Sequence, residues 1–407
     1  MVLLVPSHNR MSFAPSALDT GFELGTKPGR LRIPVAEEDI FRIAVLGCFR
    51  GSGVPAAALR HRQPLRVDYP VFDSLFQRLA PTLSLDVPGL GPVTLAFERL
   101  RDFHPDRLWL GPACADLHAA LTVSLGEMPP QITARLRHVM NDPAWRALEA
   151  SWRGLAILAE RLAHIPSLEI HLFDVSREEL VADLTADADI QDTGLYNLLA
   201  GPREYSLIVA DYSFGASLDD LALLHPLGRI AKHAAAPVIA AAGTPNEGWT
   251  EDCPVAWREF QDTAAASWVA LTYPRFLTRL PFGSRQTVCE LVDFEEIENP
   301  PGSTSLCWGN AAYLCAVVIG QTFVEGGDCF HPGFLREVEG LPTYLFEANA
   351  NLRGHPCSEA LLDHQITVAL LERGLIPVLA EEAPGSVRIL EFQAVSRDRL
   401  TGRWGMS

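Results

Sequence analysis

The sequence predicts an α/β protein with a doubly wound, mostly parallel sheet, preceded by a small α/β module and connecting helices. Continuously apolar runs at residues 205–210 and 237–242 are typical of strands that are covered on both faces. A long stretch of helical periodicity, residues 217–235, lies between them. Because strands that alternate with helices pair in parallel through crossover connections, this order indicates an open sheet with helices on both faces.

Composition and charge narrow the possible functions. The chain has 407 residues, of which 48% are hydrophobic and 20% charged, so it is globular and long enough for two or three domains. Its net charge of −17 argues against nucleic acid or an anionic membrane as the main partner. There is no run of about 18 apolar residues and no convincing signal peptide, so we expect a cytoplasmic protein without membrane insertion. The eight cysteines form no C-x-x-C pair and are expected to be free thiols.

The first part of the chain is predicted to form an arm and a small module. Residues 1–40 are rich in Pro, Gly and Ser, as in an extended arm. Residues 41–120 are expected to form a small α/β module. Its predicted elements are strands at 41–46, 64–68 and 93–97, a helix at 73–79, and a loop at 102–106 that precedes another helix.

Residues 121–165 are mostly helical in pattern and contain the most informative segment, NDPAWRALEASWRGL at 141–155. Asp142 is suited to cap a helix and Pro143 to its first turn, while Glu149 and Arg153 are spaced to pair across one turn. A narrow apolar seam of this kind usually meets another helix, although an ordinary core helix is an equal alternative on spacing alone. The seam comprises Trp145, Leu148, Trp152, Leu155, Ala159 and Leu162.

Residues 166–385 are predicted to form the main α/β domain, followed by a tail at 386–407. Ser176 and Glu179 match a capping box, and Pro226 is expected to bend or divide its helix. Gly374 is placed to end the helix before a strand at 375–379. The other predicted elements are strands at 168–173 and 268–273 and helices at 176–184, 255–266, 308–323 and 359–373.

Three patterns are compatible with a ligand site, but none is specific. A dinucleotide-binding loop would use the glycines and alanine of a G-x-G-x-x-A match: Gly51, Gly53 and Ala56. Asp68 lies near the position of the acidic residue that binds the ribose. However, the first glycine lies five residues after the strand, which is too far for this type of loop. Asp211 follows a strand, where a helix cap or turn residue is the commoner explanation. There is no G-x-S-x-G elbow, P-loop or H-E-x-x-H, so we predict no catalytic residue, cofactor or metal. A zinc set could be drawn from residues whose spacing matches no common pattern: Cys329, His331, His355, Cys357 and His364.

The wording of the 141–155 segment resembles the large contractile-sheath subunit of type VI secretion systems, the TssC (VipB, ImpC) family. Further segments resemble this family in the expected order, over about residues 130–380. They are LIVADYSFG at 207–215, AKHAAAPVIAAA at 231–242, PRFLTRLPFGS at 274–284, LCWGNAAYLCA at 306–316, VEGLPTYLF at 338–346 and ERGLIPVL at 372–379.

The N-terminal module resembles a different subunit. FRIAVLGCFRG at 41–51 and LRDFHPDRLW at 100–109 are similar to the small sheath subunit, TssB (VipA, ImpB). The chain is therefore similar to small-subunit and large-subunit pieces joined in one polypeptide. On this interpretation the glycines at 51 and 53 form a sheath-subunit turn and not a cofactor site.

The resemblance implies a sheath or sheath-like subunit without enzymatic activity, assembled around an inner tube as a homo- or hetero-oligomer. The implied partners are other sheath subunits, the inner tube protein, the baseplate and a ClpV-type ATPase. Large subunits usually continue well beyond the segment that matches residues 377–379, after which about 28 residues follow here, so we expect a chain that cannot polymerise as the standard pair does. A sheath-end cap, baseplate adaptor or assembly regulator is the alternative, and a nucleotide-binding enzyme is a further one.

The candidate interface lies in two segments. The seam residues are expected to pack either within the chain or against a partner, and two arginines of the PRFLTRLPFG segment are expected to fix a neighbouring loop through polar contacts. The candidate interface residues are Trp145, Leu148, Trp152, Leu155, Arg275 and Arg279.

Overall fold

The computed structural model describes residues 40–53, 57–110, 130–186, 189–243, 254–283, 287–290, 294–297, 306–326, 330–348, 351–381 and 383–405. The strands in these residues are β1 (Phe41–Gly47), β2 (Leu65–Arg66), β3 (Thr82–Val87), β4 (Gly91–Ala96), β5 (Leu168–Asp174), β6 (Leu207–Phe214), β7 (Val238–Ala242), β8 (Val269–Tyr273), β9 (Phe276–Leu277), β10 (Trp308–Gly309), β11 (Glu337–Val338), β12 (Tyr344–Ala348), β13 (Asn351–His355), β14 (Leu375–Ala380) and β15 (Val387–Ile389). The helices are α1 (Ser74–Leu79), α2 (Pro105–Leu110), α3 (Pro130–Asn141), α4 (Pro143–Leu162), α5 (Arg177–Leu184), α6 (Gly194–Leu199), α7 (Leu218–Ala234), α8 (Val255–Gln261), α9 (Ala312–Gly326) and α10 (His364–Glu372).

The described part of the chain is a mixed α/β fold around a nine-stranded, mostly parallel sheet, as the sequence predicts. The strand order is β11–β15–β14–β8–β7–β6–β1–β5–β2. The six strands from β14 to β5 pair in parallel. The antiparallel strands lie at the edges, with β2 beside β5 at one end and β15 and β11 beyond β14 at the other.

The N-terminal strand β1 lies in the interior of this sheet. It pairs with β5 along its whole length, from Phe41 opposite Leu168, and with β6 from Ile43 opposite Leu207. The sequence predicts that this strand belongs to a small module at 41–120, ahead of the domain at 166–385, whereas it lies in the same sheet as that domain. The physical reason for this central position is that the side chains of β1 are apolar on both faces of the strand. They therefore need cover on both faces, and a strand in the interior of a sheet also has a neighbour on each edge. Likewise β15, inside the predicted tail at 386–407, is a strand of this sheet.

Two hydrophobic clusters cover the two faces of the sheet. Ile43 and Val45 of β1 join one cluster with side chains of α4 and α9. Ala44 and Leu46, which point the other way, join the second cluster with side chains of α5, α6, α7, α8 and α10. The alternation follows from the two-residue period of a strand.

The N-terminal part also forms a small layer against α4. Here β3 and β4 pair as an antiparallel hairpin, and β3 was not among the predicted strands. Side chains of α1, of this hairpin and of α3 belong to the same hydrophobic cluster as α4. The remaining short strands form two separate pairs, β9 with β10 and β12 with β13.

Several local predictions are confirmed and several boundaries are corrected. The Ser176–Glu179 capping box is present, and Gly374 ends α10 at φ 74°, where an added Cβ would lie 2.2 Å from the Val395 carbonyl oxygen. Pro226 does not divide its helix, because α7 continues through it from Leu218 to Ala234. Predicted helices at 255–266, 308–323 and 359–373 are shorter or shifted, at 255–261, 312–326 and 364–372. Within the described residues, no helix is both long and apolar enough to cross a membrane.

Candidate functional site around the tryptophan helix

Helix α4, which carries the tryptophan seam, begins at the predicted cap. The Asp142 carboxylate accepts hydrogen bonds from the backbone N–H groups of Ala144 at 2.8 Å and Trp145 at 3.4 Å. Pro143 occupies the first turn, where its missing N–H costs nothing. The local sequence therefore fixes both the start of the helix and the direction of its seam.

The seam packs against this chain's own N-terminal layer. Trp152 stacks on Phe76 with ring centroids 3.8 Å apart, and its indole N–H donates to the Phe49 carbonyl oxygen at 3.0 Å. Trp145 contacts Phe97 and Phe103 edge to face. The side chains of the four seam residues in the candidate interface are buried, with exposures from 0% to 3%: Trp145, Leu148, Trp152 and Leu155.

This burial bears on the two alternatives for the seam, packing within the chain or contact with a partner. A side chain with no accessible surface offers nothing to another subunit in this conformation, so the structure favours packing within the chain. They join the segment at 49–103 to α4, the helix that leads into the main sheet. The seam is therefore an internal joint between the two parts of the polypeptide.

A buried ion cluster sits beside the seam. Arg279, which is 7% exposed, contacts Glu149 at 2.6 and 2.9 Å and Glu296 at 2.7 and 2.8 Å, so both carboxylates bind its guanidinium in bidentate fashion. Arg153 adds the predicted contact across one turn of α4, at 2.8 Å to Glu149. The guanidinium of Arg279 also lies over the Phe282 ring, 4.1 Å from its centroid.

The charges in this cluster are mutually compensated. Burial alone would raise the pKa of Glu149, but the charges and hydrogen bonds of Arg279 and Arg153 outweigh it and lower the pKa to about 2. The two carboxylates likewise hold the pKa of Arg279 well above its ordinary value, against the effect of burial. Glu149 and Arg279 are thus both ionised at neutral pH. The cluster joins α4 to the loop at 294–297, so these polar contacts of Arg279 are made within the chain.

Arg275 lies at the surface, apart from this cluster. Its guanidinium contacts the Glu359 carboxylate at 2.8 and 2.5 Å, and its side chain is 44% exposed. Together with Arg146 and Trp308 it lines a surface cavity of about 580 Å³. Of the predicted interface residues, Arg275 is therefore the one that remains accessible.

Comparison with known proteins identifies the family. The family model described as VipB: EvpB/VC_A0108, tail sheath N-terminal domain, matches residues 124–249 and 249–395, which is well over half of the chain and includes α4 and the ion cluster. The chain belongs to this tail sheath family. It is also 28% identical over 302 residues to the type VI secretion system sheath protein TssC1 of Pseudomonas aeruginosa. The alignment covers 67% of this chain and 61% of that protein, so the chain spans less than two thirds of the relative's length.

In this tail sheath chain, Asp211 is half-buried, and its Oδ2 atom has almost no accessible surface. Burial raises the pKa of its carboxyl, and nearby Ser151, Tyr313 and Asn310 partly offset that effect. The Asn310 amide donates to the carbonyl oxygens of Ala210 at 3.2 Å and Tyr212 at 3.3 Å. The W-G-N-x-x-Y motif thus attaches the start of α9 to β6, a role that sequence reasoning did not find.

The other candidate ligand sites have structural explanations. Gly51 adopts φ 63° and pairs with Thr82, where an added Cβ would lie 2.4 Å from the Thr82 carbonyl oxygen. Residues 54–56 of the glycine loop, and Cys329 of the zinc set, lie outside the described residues. Cys357 donates to the Ser386 carbonyl oxygen at 3.5 Å. In the described part of the chain, the zinc set that could be drawn from the sequence does not bring three donors together.

The exposed surface of the tail sheath chain has two features that the sequence analysis missed. The first is a cleft of about 470 Å³ beside α7, lined by residues 263–265 and by four basic or titratable side chains; no carboxylate is among its described lining residues. These four are His225, Arg229, Lys232 and His233. The second is a set of exposed apolar side chains, the largest fractions being 74% for Leu218 and Phe334 and 69% for Leu361.

Proposed function

We propose that this chain is a structural subunit of the contractile sheath of a type VI secretion system and that it has no enzymatic activity. The match of the tail sheath model over residues 124–395 carries this proposal. The internal geometry supports it, because the buried seam and the ion cluster serve cohesion. A subunit of a repeating assembly needs a rigid body with complementary surfaces more than it needs a reactive pocket.

We also propose that residues 41–110 supply in cis a part that resembles the small sheath subunit. The support is the position of β1 between β5 and β6 and the packing of α4 on the 49–103 segment. Under this proposal the divisions at 1–40, 41–120, 121–165, 166–385 and 386–407 are divisions of the sequence, and the described residues of the last four fold together as one unit. The doubly wound arrangement of the main sheet belongs to the same proposal.

The proposed contacts with other subunits lie on the exposed features and not on the seam. The α7 cleft is basic in a chain whose net charge is −17, so an acidic surface of a neighbouring subunit is complementary to it. Exposed apolar residues such as Phe334 and the accessible Arg275 are further candidates. The proposed partners are other sheath subunits, the inner tube protein, the baseplate and a ClpV-type ATPase, in the cytoplasm.

The proposal is tested by co-expressing the chain with the other sheath proteins of its system. We expect pull-down of a sheath partner and incorporation of the chain into tubules seen by electron microscopy. Reversing the charge of Arg229 and Lys232 together should weaken incorporation, while the same reversal at Arg60, an exposed arginine elsewhere, should not. If wild-type chain binds no sheath protein and enters no tubule, the proposed function is wrong. A tagged copy found at one end of the sheath, instead of along it, would favour the cap or adaptor alternative.

A further inference from the structure

Three side chains of the types that bind Zn²⁺ converge from two distant segments of the chain. His104 and Asp106 lie in the turn that starts α2, and Cys289 lies in the segment at 287–290. One ligand atom of each residue lies within 4.8 Å of the others, and the distance from His104 Nδ1 to Asp106 Oδ2 is 3.7 Å. Zinc bonds of about 2.0 to 2.3 Å place tetrahedral ligands about 3.3 to 3.8 Å apart. The donors therefore need only a small closing movement to share one ion.

The orientation of two donors is already set by the backbone. The Asp106 N–H donates to His104 Nδ1 at 3.2 Å, so this nitrogen is an acceptor and carries its lone pair on the side of Asp106. The Asp106 Oδ2 atom accepts from the Glu290 N–H at 2.9 Å, which joins the two segments directly. Ligating carboxylates are hydrogen-bonded in this way in known sites, whereas the contact to Nδ1 uses the lone pair that an ion would take, so the ion would replace it.

The charge around the three donors is compatible with a divalent cation. The carboxylate of Asp106 and the thiolate that Cys289 would become together carry two negative charges. Of the arginines that line the adjacent cavity, Arg153 and Arg279 are already paired with the buried Glu149 and Glu296. The other two arginines that line this cavity, Arg101 and Arg107, are exposed to solvent.

The cavity provides access and room for a fourth ligand. It has a volume of about 730 Å³ and is lined by His104, Asp106 and Glu290, among others. All three donors are half-buried, so an ion can reach them from solvent but would lose most of its water. The fourth position would fall to a water molecule or to the Glu290 carboxylate.

We propose that His104, Asp106 and Cys289 form a Zn²⁺ site that clasps the turn at 102–106 to the segment at 287–290. Binding forms bonds from Zn²⁺ to Nδ1, to a carboxylate oxygen and to Sγ, and it releases the thiol proton of Cys289 to solvent. No oxidation or reduction takes place. The site would link the N-terminal layer to the part of the chain that follows β9, next to the ion cluster.

The test is metal titration of the full-length chain after treatment with a chelator. We expect one equivalent of Zn²⁺ to bind with proton release, and one equivalent of Co²⁺ to give a thiolate-to-cobalt charge-transfer band. C289S and H104A should each abolish the band and weaken Zn²⁺ binding by more than about tenfold. C48S is the matched control, because Cys48 is also half-buried but lies outside the cluster, and it should bind as the wild type does.

Wild-type protein decides the question even if a variant fails to fold. Absence of stoichiometric binding, or Co²⁺ binding without the charge-transfer band, would overturn the proposal. So would Zn²⁺ affinity that C289S leaves unchanged, since the ion would then be held by other side chains. None of these outcomes depends on whether the chain assembles into a sheath.

Discussion

Arg279 illustrates how a charged residue can be a core residue. It sits between two carboxylates, and Glu149 has no accessible surface. Bringing such a group of charges out of water is costly, and the bidentate contacts offset that cost only while all members are present. The cluster therefore makes the position of the 294–297 loop depend on a single guanidinium.

We predict that Arg279→Ala is strongly destabilising. It takes the guanidinium away from the buried Glu296 carboxylate and leaves Glu149 with Arg153, so the free energy of unfolding should fall by about 3 to 5 kcal/mol in urea titrations. Arg275→Ala removes an ion pair that is 44% exposed on the arginine side and should cost less than about 1 kcal/mol. If the two substitutions lowered the free energy of unfolding equally, the buried cluster would stabilise the fold no more than a surface ion pair does.

Acid should destabilise the fold through His171. This side chain is 5% exposed, and burial, with help from Arg203, lowers its pKa from 6.5 to about 4. The unfolded chain therefore takes up a proton at this residue between about pH 6.5 and pH 4 while the folded chain does not, so this contribution to stability is present above that range and is lost as the pH falls through it.

We expect the wild type to lose up to about 3 kcal/mol of unfolding free energy between pH 7 and pH 4 through this residue alone. His171→Gln should flatten the pH profile of urea unfolding by that amount. A His171→Gln profile parallel to the wild type would disprove the assignment.

At the scale of elements, α4 and α9 approach closely because of a glycine. An added Cβ at Gly154 would lie 2.4 Å from Cε2 of the buried Tyr313 ring. Gly320 of α9 is a second point of close approach, where an added Cβ would lie 2.7 Å from Leu162 Cδ1. The two helices thus interlock at two points along their crossing.

We predict that Gly154→Ala lowers stability by about 1 to 3 kcal/mol because the methyl group overpacks this crossing. Helix propensity alone predicts the opposite sign, a gain of about 0.5 to 1 kcal/mol. Thermal and urea unfolding of the single variant therefore distinguish the two effects. A gain in stability would mean that the helices separate easily.

Elements with local signals could be predicted from the sequence, whereas their partners could not. The Asp142 cap and the Gly374 stop depend on residues within one helical turn, and both are confirmed. The burial of Arg279 depends on Glu149, which is 130 residues away. A usable signal did exist, because Glu149 lies four residues after Trp145 and three before Trp152, on the seam face of the helix.

At the scale of the whole molecule, the N-terminal layer and the main sheet are one structure. The strand β1 contacts two strands of the later part, and the seam of α4 closes on the segment at 49–103. Expression of the chain as two polypeptides, residues 1–120 and 121–407, should therefore give a stable complex of the two. We expect both fragments to co-elute in gel filtration under native conditions and to separate in urea. Separation without denaturant would show that the parts fold independently.

The central position of β1 has a consequence for synthesis on the ribosome. Residues 41–47 emerge early, yet their partners end at residues 174 and 214. At translation rates of about 5 to 20 residues per second, this apolar segment waits roughly ten to thirty seconds for its second neighbour. During that interval it is a site at which a chaperone can bind or a nascent chain can aggregate. A slowed ribosome should therefore lower the soluble yield of this protein more than that of a chain whose strands pair in order of synthesis.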